Sequence, residues 1–220
     1  MTHGRPSALV FDCDGVLVDS EYLASRVETE VARDLGLALG VDEAHELFLG
    51  KTVDGVLDAI AARAGARPNA AFVYNWAFAT ARAFLAELKP IPFVHAAARE
   101  LRRRGHAMAV ASQSPLARVQ LSLEAAGFGG WFGEHVYVTS MVARPKPAPD
   151  VYLLAAERLG RPPAECVVIE DSIAGAAAAR AAGFRAIGYA PAGTYDAMVA
   201  TGVEVIRSMD ELVSRIDAGH

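Results

Sequence analysis

Several common features are scarce in this chain, and each scarcity closes off a class of protein. Only two cysteines occur in 220 residues, Cys13 and Cys166, each inside an apolar run. That is too few for a disulfide-stapled secreted scaffold and fits reduced, buried thiols in a cytoplasmic protein. Basic charge is not in excess: 21 Lys and Arg face 26 Asp and Glu, a formal net charge of -5. No nucleic acid and no anionic membrane is therefore expected as a partner. Long uninterrupted apolar runs are missing, and the first apolar stretch is broken by Asp12 and Asp14, so neither a signal peptide nor a spanning helix is expected. The six histidines are scattered, with no pair at metal-ligand spacing. The one glycine-rich stretch, Gly127-Phe128-Gly129-Gly130, follows a helical pattern, which excludes a dinucleotide fingerprint.

What the chain does have is apolar sequence, 53% hydrophobic, enough for a substantial core. Short apolar runs at 8–11, 107–111, 135–139, 166–169, 185–189 and 203–206 alternate with helix-like segments at 94–104, 115–126, 149–159, 173–182 and 194–200. Strand and helix at this spacing predict an α/β fold with a parallel sheet covered on both faces. Gly105, Gly127, Gly160 and Gly183 sit where helices should stop.

Far more chain than one crossover needs separates the first run from the second. Its patterns predict helices at 21–35, 41–48, 53–64 and 69–88, after which Pro90 and Pro92 mark the return to alternating elements. The expected organisation is a core of residues 1–19 and 90–220, with residues 20–89 inserted as a lid. Phe72, Tyr74, Trp76 and Phe78, crowded at spacing two, are expected to build the core of that insertion.

The polar residues that carry chemistry fall at the ends of the apolar runs. The first run ends in Asp12-Cys13-Asp14-Gly15. In open α/β sheets ligands bind at that edge, and paired carboxylates there repel unless a cation or a shared proton intervenes. Cys13 should point to the opposite face of the strand and is no candidate nucleophile. The second run ends in Ser112-Gln113-Ser114, a basic loop carries Arg144-Pro145-Lys146-Pro147, and the fourth run ends in Glu170-Asp171-Ser172. Singly, each has a structural explanation: Ser112 as a helix cap, Lys146 as a solvated loop charge, Asp171 as an N-cap.

In this order, Asp12-Cys13-Asp14-Gly15-Val16, Ser112, Lys146 within Lys-Pro-x-Pro-Asp, and Glu170-Asp171-Ser172 resemble the motifs of the haloacid dehalogenase superfamily. The similarity is to its β-phosphoglucomutase and sugar-phosphate phosphatase branch, and it runs over essentially the whole chain. It implies a Rossmann-like parallel sheet core with an inserted α-helical cap. It also implies Mg²⁺ held by Asp12, the backbone carbonyl of Asp14, and Asp171, with Glu170 direct or through water. Asp12 would be the nucleophile that forms an aspartyl-phosphate. Asp14 would be the general acid and then the base, and Ser112, Gln113 and Lys146 would bind the phosphoryl group. An acid of ordinary pKa, about 4, suits that role poorly, and enclosure under the cap is expected to help.

The implied substrate is a small phosphorylated metabolite, a sugar phosphate or phosphorylated sugar acid, handled by a monomer or weak homo-oligomer. Gly50, Lys51 and Thr52 lie where family members place a substrate-facing loop and are candidate substrate contacts. Asp14 favours phosphoryl chemistry over dehalogenation, since a halide leaves without a proton. A β-phosphoglucomutase-type mutase is the alternative, but such mutases carry a histidine where this chain has Ala24, so hydrolysis is favoured. A catalytically silent phosphate-binding regulatory module is the further alternative, made unattractive by the intact acids.

Overall fold

The apolar run Ala8–Phe11 forms β1, buried along its whole length. The structure, a computed structural model, describes residues 8–191 and 193–218. From β1 the chain enters four helices: α1 (Glu21–Ala32), α2 (Val41–Phe48), α3 (Val53–Ala64) and α4 (Ala70–Glu87). It then alternates through α5 (Val94–Arg103), β2 (Ala107–Ser112), α6 (Leu116–Ala125), β3 (Val136–Val138), α7 (Asp150–Arg158) and β4 (Cys166–Glu170). The last elements are α8 (Ile173–Ala181), β5 (Arg185–Tyr189), α9 (Tyr195–Ala200), β6 (Glu204–Ile206) and α10 (Leu212–Ala218).

All strand pairs are parallel, in the order β3-β2-β1-β4-β5-β6. Phe11 lies opposite Val110 on one side and Ile169 on the other, so β1, β2 and β4 end level with one another. The strand order reverses at β1, and the crevice beyond its C-terminal end is where such sheets bind ligands. The period-two pleat sorts β1 between two cores. Leu9 and Phe11 join Val110 and Ile169, while Ala8 and Val10 join Ala109, Tyr152 and Val168 on the other face.

Two strands run one residue beyond their apolar patterns. Ser112 pairs with Val138 and Glu170 with Gly188, because the ladder is held by backbone hydrogen bonds and does not require an apolar side chain. The run 135–139 is shortened to Val136–Val138 because Thr139–Met141 winds into a 3-10 turn. The predicted helix 21–35 is α-helical to Ala32 and finishes as a 3-10 turn. Helix α10 has no counterpart in the sequence patterns; a capping box of Ser208 and Glu211 opens the turn that leads into it.

The inserted helices form an α-helical cap with a core of their own, including Val27, Phe48, Ile60, Phe72 and Trp76. Thr52 and Asn69 accept backbone N–H groups at the starts of α3 and α4. Of the four crowded aromatics only Phe72 and Trp76 are buried. Tyr74 and Phe78 are exposed and stack on each other at 6.5 Å. At 3.6 residues per turn, side chains two apart cannot share a helix face, whereas those four apart do.

The chain leaves and re-enters the core through adjacent backbone. Asp19 N–H donates to Lys89 O at 2.9 Å, and Ile91 N–H to Leu17 O at 3.0 Å. Among the described residues no helix is long and apolar enough to cross a membrane.

Candidate active site

Directly after β1, the Asp12 N–H continues the ladder to Ile169 O at 2.9 Å, and the chain then turns at Gly15. Gly15 has φ +77, and a Cβ there would lie 2.0 Å from Asp171 Oδ2. Only glycine allows both the left-handed turn and so close an approach. The turn presents Asp14 to Ser20 Oγ (2.5 Å to Oδ1), Ser114 Oγ (2.7 Å to Oδ2) and Arg118 Nη2 (3.4 Å to Oδ1). Burial pushes the Asp14 carboxyl up, but the Arg118 guanidinium and the two hydroxyls outweigh it and hold it below the usual carboxylate range. The net shift is therefore downward, contrary to the expectation from sequence, because the neighbours outweigh the effect of enclosure. Cys13 is buried with its thiol pushed well up, as befits an inert side chain.

Lys146 is not a solvated loop charge. Its Nζ is buried and donates to Asp12 Oδ1 at 2.5 Å, Glu170 Oε1 at 2.8 Å and Ala111 O at 3.1 Å, using all three protons. Glu170 accepts from Lys146, the Tyr152 hydroxyl, Ser172 Oγ and the N–H groups of Asp171 and Ser172. Those donors keep it ionised against burial. Space for it comes from Gly175, where a Cβ would fall 1.9 Å from Glu170 Oε1. The N-cap of α8 is Ser172, which leaves the Asp171 carboxylate without a capping duty.

Asp12, Glu170 and Asp171 each offer a carboxylate oxygen, all within 4.8 Å of one another, a group able to hold a metal ion. Burial, and then the charge of Glu170, drives the carboxyls of Asp12 and Asp171 well above their ordinary range, although Lys146 pulls Asp12 the other way. Lys146 itself is held protonated by Asp12 and Glu170 despite its burial.

The remaining candidates are divided. Ser112 lines the cleft, and its Oγ accepts the Ser114 N–H at 3.0 Å. Gln113 also lines it, but its side-chain amide reaches across to the cap and donates to Gly50 O at 2.9 Å. Gly50 and Lys51 line the cleft, whereas the Thr52 hydroxyl is engaged at the start of α3.

The cleft measures about 850 Å³ including its open mouth, and the cap forms its far wall. That wall carries residues which motif reading did not single out: Glu21, Ser25 and Glu28 of α1, and His45 of α2. Ser25 Oγ and His45 Nδ1 lie 3.2 Å apart. Burial pushes the Glu28 carboxyl up to about 7, with the Arg118 charge opposing. Arg118 was missed as well. It spans the two halves, ion-paired to Asp14 and lying 5.1 Å from the centre of the Phe84 ring of the cap. Tyr152, the hydroxyl donor to Glu170, gave no signal beyond a helical pattern.

Residues 6–183 match the haloacid dehalogenase-like hydrolase family. Hexitol phosphatase B of Escherichia coli is 33% identical over 82% of this chain and 82% of its own length. The Arabidopsis thaliana protein Suppressor of quenching 1, chloroplastic, is 34% identical over 84% of this chain, which spans only 18% of that longer protein. Among solved structures, a HAD family hydrolase from Deinococcus radiodurans, determined with bound phosphate and sodium, is 36% identical, covers 98% of each chain and has a TM-score of 0.77. The extent of the family match, with relatives of this length and kind, makes the chain a member of the haloacid dehalogenase-like hydrolases, on their phosphatase side.

Proposed function

We propose that the chain is a Mg²⁺-dependent phosphatase that hydrolyses a small sugar phosphate through an aspartyl-phosphate at Asp12. The observation that carries this reading is the meeting of Asp12, Asp14, Lys146 and Asp171 at one sheet edge beneath an acid-lined cap. The relative named as a hexitol phosphatase supports a phosphorylated sugar or sugar alcohol as the substrate class.

The donor set fits the metal. Of the three carboxylates, Asp12 and Glu170 are buried and bonded to Lys146, while Asp171 is half-buried and has no cation on it among the described residues. The upward push on Asp12 and Asp171 marks a place short of positive charge. All the available ligand atoms are oxygens, which suits a hard divalent cation. Asp12, the Asp14 carbonyl and Asp171 would hold it, with Glu170 acting through water because its own oxygens are already engaged. When bound, Mg²⁺ would offset the repulsion between the Asp12 carboxylate and a dianionic phosphate.

A carboxylate oxygen of Asp12 attacks phosphorus, the P–O bond to the sugar breaks, and the leaving oxygen takes a proton from Asp14. Asp14 then removes a proton from a water that attacks the aspartyl-phosphate, releasing inorganic phosphate and restoring Asp12. Held ionised by its neighbours, Asp14 is in the protonation state that the second step needs. For the first step it must take up a proton as the dianion arrives, which the added negative charge favours. Lys146 exchanges its bond to Asp12 for the transferring oxygens, and Ser112 with nearby N–H groups orients them. The cap, residues 20–89, shuts out bulk water. Ala24, on the cavity wall, offers no proton donor for an isomerisation.

The test is phosphate release from a panel of sugar phosphates with Mg²⁺. Release that stops on adding EDTA and returns with Mg²⁺ is the expected result. Isomerised product without free phosphate would overturn hydrolysis, and full rate in chelator would remove the metal.

A further inference from the structure

Glu28 lies seven residues along α1 from Glu21, two turns further under the cap, on the wall of the cavity. It is 6% exposed, and among the described residues no hydrogen bond reaches its carboxylate. The carboxylate faces the space a substrate would fill, with no protein donor bonded to it, so a group entering that space is its natural partner. The neighbouring cation is Arg118, whose Nη2 meets Asp14 at 3.4 Å and whose buried Nε makes no hydrogen bond among the described residues, to Glu28 included. Beside Glu28 the wall offers Ser25 and His45 as hydroxyl partners and Trp76 as an apolar surface. Lys51, the one cap lysine on the wall among the described residues, is exposed.

We propose that Glu28 is a specificity-determining residue that accepts a hydroxyl of the substrate's tail, so that the site takes the monophosphate ester of a neutral polyol. This rests on the phosphatase reading and narrows it. A tail hydroxyl donates to Glu28 and supplies the partner it lacks. Above about pH 7, where Glu28 is ionised, a tail carboxylate or second phosphate in that place would face Glu28 and Glu21, a like-charge contact inside a partly desolvated cleft. Sites built to bond a hydroxyl discriminate strongly because an unsuitable ligand leaves the buried group unmatched.

The test separates binding from turnover. Asp12→Asn protein with Mg²⁺ is titrated calorimetrically, above the Glu28 pKa of about 7, with sorbitol 6-phosphate, 6-phosphogluconate, fructose 1,6-bisphosphate and inorganic phosphate. The first two differ only in a terminal hydroxymethyl against a carboxylate. Sorbitol 6-phosphate is expected to bind at least about tenfold tighter than the other two organic esters. Adding Glu28→Ala should bring that ratio to about one while leaving inorganic phosphate within about twofold. If the alanine variant does not fold, Glu28→Gln keeps the shape and should narrow the ratio by removing the charge.

Equal or tighter binding of 6-phosphogluconate overturns the proposal, most plainly if Lys51→Ala abolishes it. Failure of every organic ester to bind, or equal weakening of all ligands by Glu28→Ala, overturns it too. The unsubstituted enzyme tests the underlying reading separately. Equal kcat/KM on the acid and polyol esters would sink the role of Glu28 and leave the phosphatase. A tenfold binding preference with no phosphate released would do the reverse.

Discussion

The side-chain amide of Gln113, at the end of β2, donates to the backbone carbonyl of Gly50 in the cap at 2.9 Å. One polar contact thus fastens the lid to the sheet edge beside Ser112. Gln113→Ala removes the donor and leaves the catalytic carboxylates in place. Its expected result is a rise in KM of about three- to tenfold for a sugar phosphate, consistent with losing one hydrogen bond of about 1 kcal/mol. Hydrogen exchange at residues 49–52 should quicken in the same variant. Unchanged exchange and KM would show that the contact fastens nothing.

Arg118 sets the charge state of Asp14. Removing the guanidinium takes away the leading influence that holds this acid low, so in Arg118→Met its pKa rises. The pH–rate profile should then move to higher pH, because both proton transfers by Asp14 follow its pKa. Asp14→Asn should slow hydrolysis of alkyl esters far more than that of p-nitrophenyl phosphate, whose leaving group needs no proton. A profile that stays put in Arg118→Met would separate the two residues.

Gly15→Ala should be among the most damaging single substitutions in the chain. The left-handed φ of +77 and the 2.0 Å approach to Asp171 Oδ2 both oppose a Cβ. Relief requires Asp171 to move, so activity should fall by at least about a hundredfold, while strain of about 1–3 kcal/mol lowers Tm. Steady-state rates together with thermal melts check both parts. Normal activity would mean that Asp171 does not need its present position.

Glu28 leaves a signature in stability. Its folded carboxyl sits at about 7, above the unfolded value of about 4.3. A raised acid binds its proton more tightly when folded, so the contribution of Glu28 to stability is full below about pH 4 and is lost as pH climbs to about 7, by on the order of 4 kcal/mol. Glu28→Gln has no such loss. Its stability relative to the wild type should grow between pH 5 and pH 8, as read from paired urea melts, in which other titrations cancel. A flat difference would place Glu28 in a better-solvated position.

Much of the fold is written in periodicity. The run 8–11 coincides with β1 and 185–189 with β5, because buried parallel strands are short apolar blocks closed by polar or glycine residues. The motif residues were legible for a related reason: strand ends gather them, so Asp12, Lys146 and Asp171 could be expected near one another before their geometry was known. Arg118 and Tyr152 could not. Each sits in a helix whose local pattern says nothing about what lies across a gap of more than a hundred residues for Arg118, or across the neighbouring strand for Tyr152. Glu28 did leave a trace, because Glu21, Ser25 and Glu28 recur at helical spacing and place polar groups on the inner side of α1. The sign of the Asp14 shift was hidden for the same reason as Arg118, since it depends on one guanidinium contributed from another element.

The paired connections at Asp19–Lys89 and Leu17–Ile91 have an evolutionary consequence. Both ends of the inserted helices meet the sheet at one spot, so what lies between them can diverge, lengthen or be exchanged without altering the spacing of the residues beneath. Descendants of one hydrolytic apparatus could therefore acquire new appetites by mutating α1 to α4 alone. The sheet edge would be inherited as a fixed tool and the helices above it as interchangeable fittings.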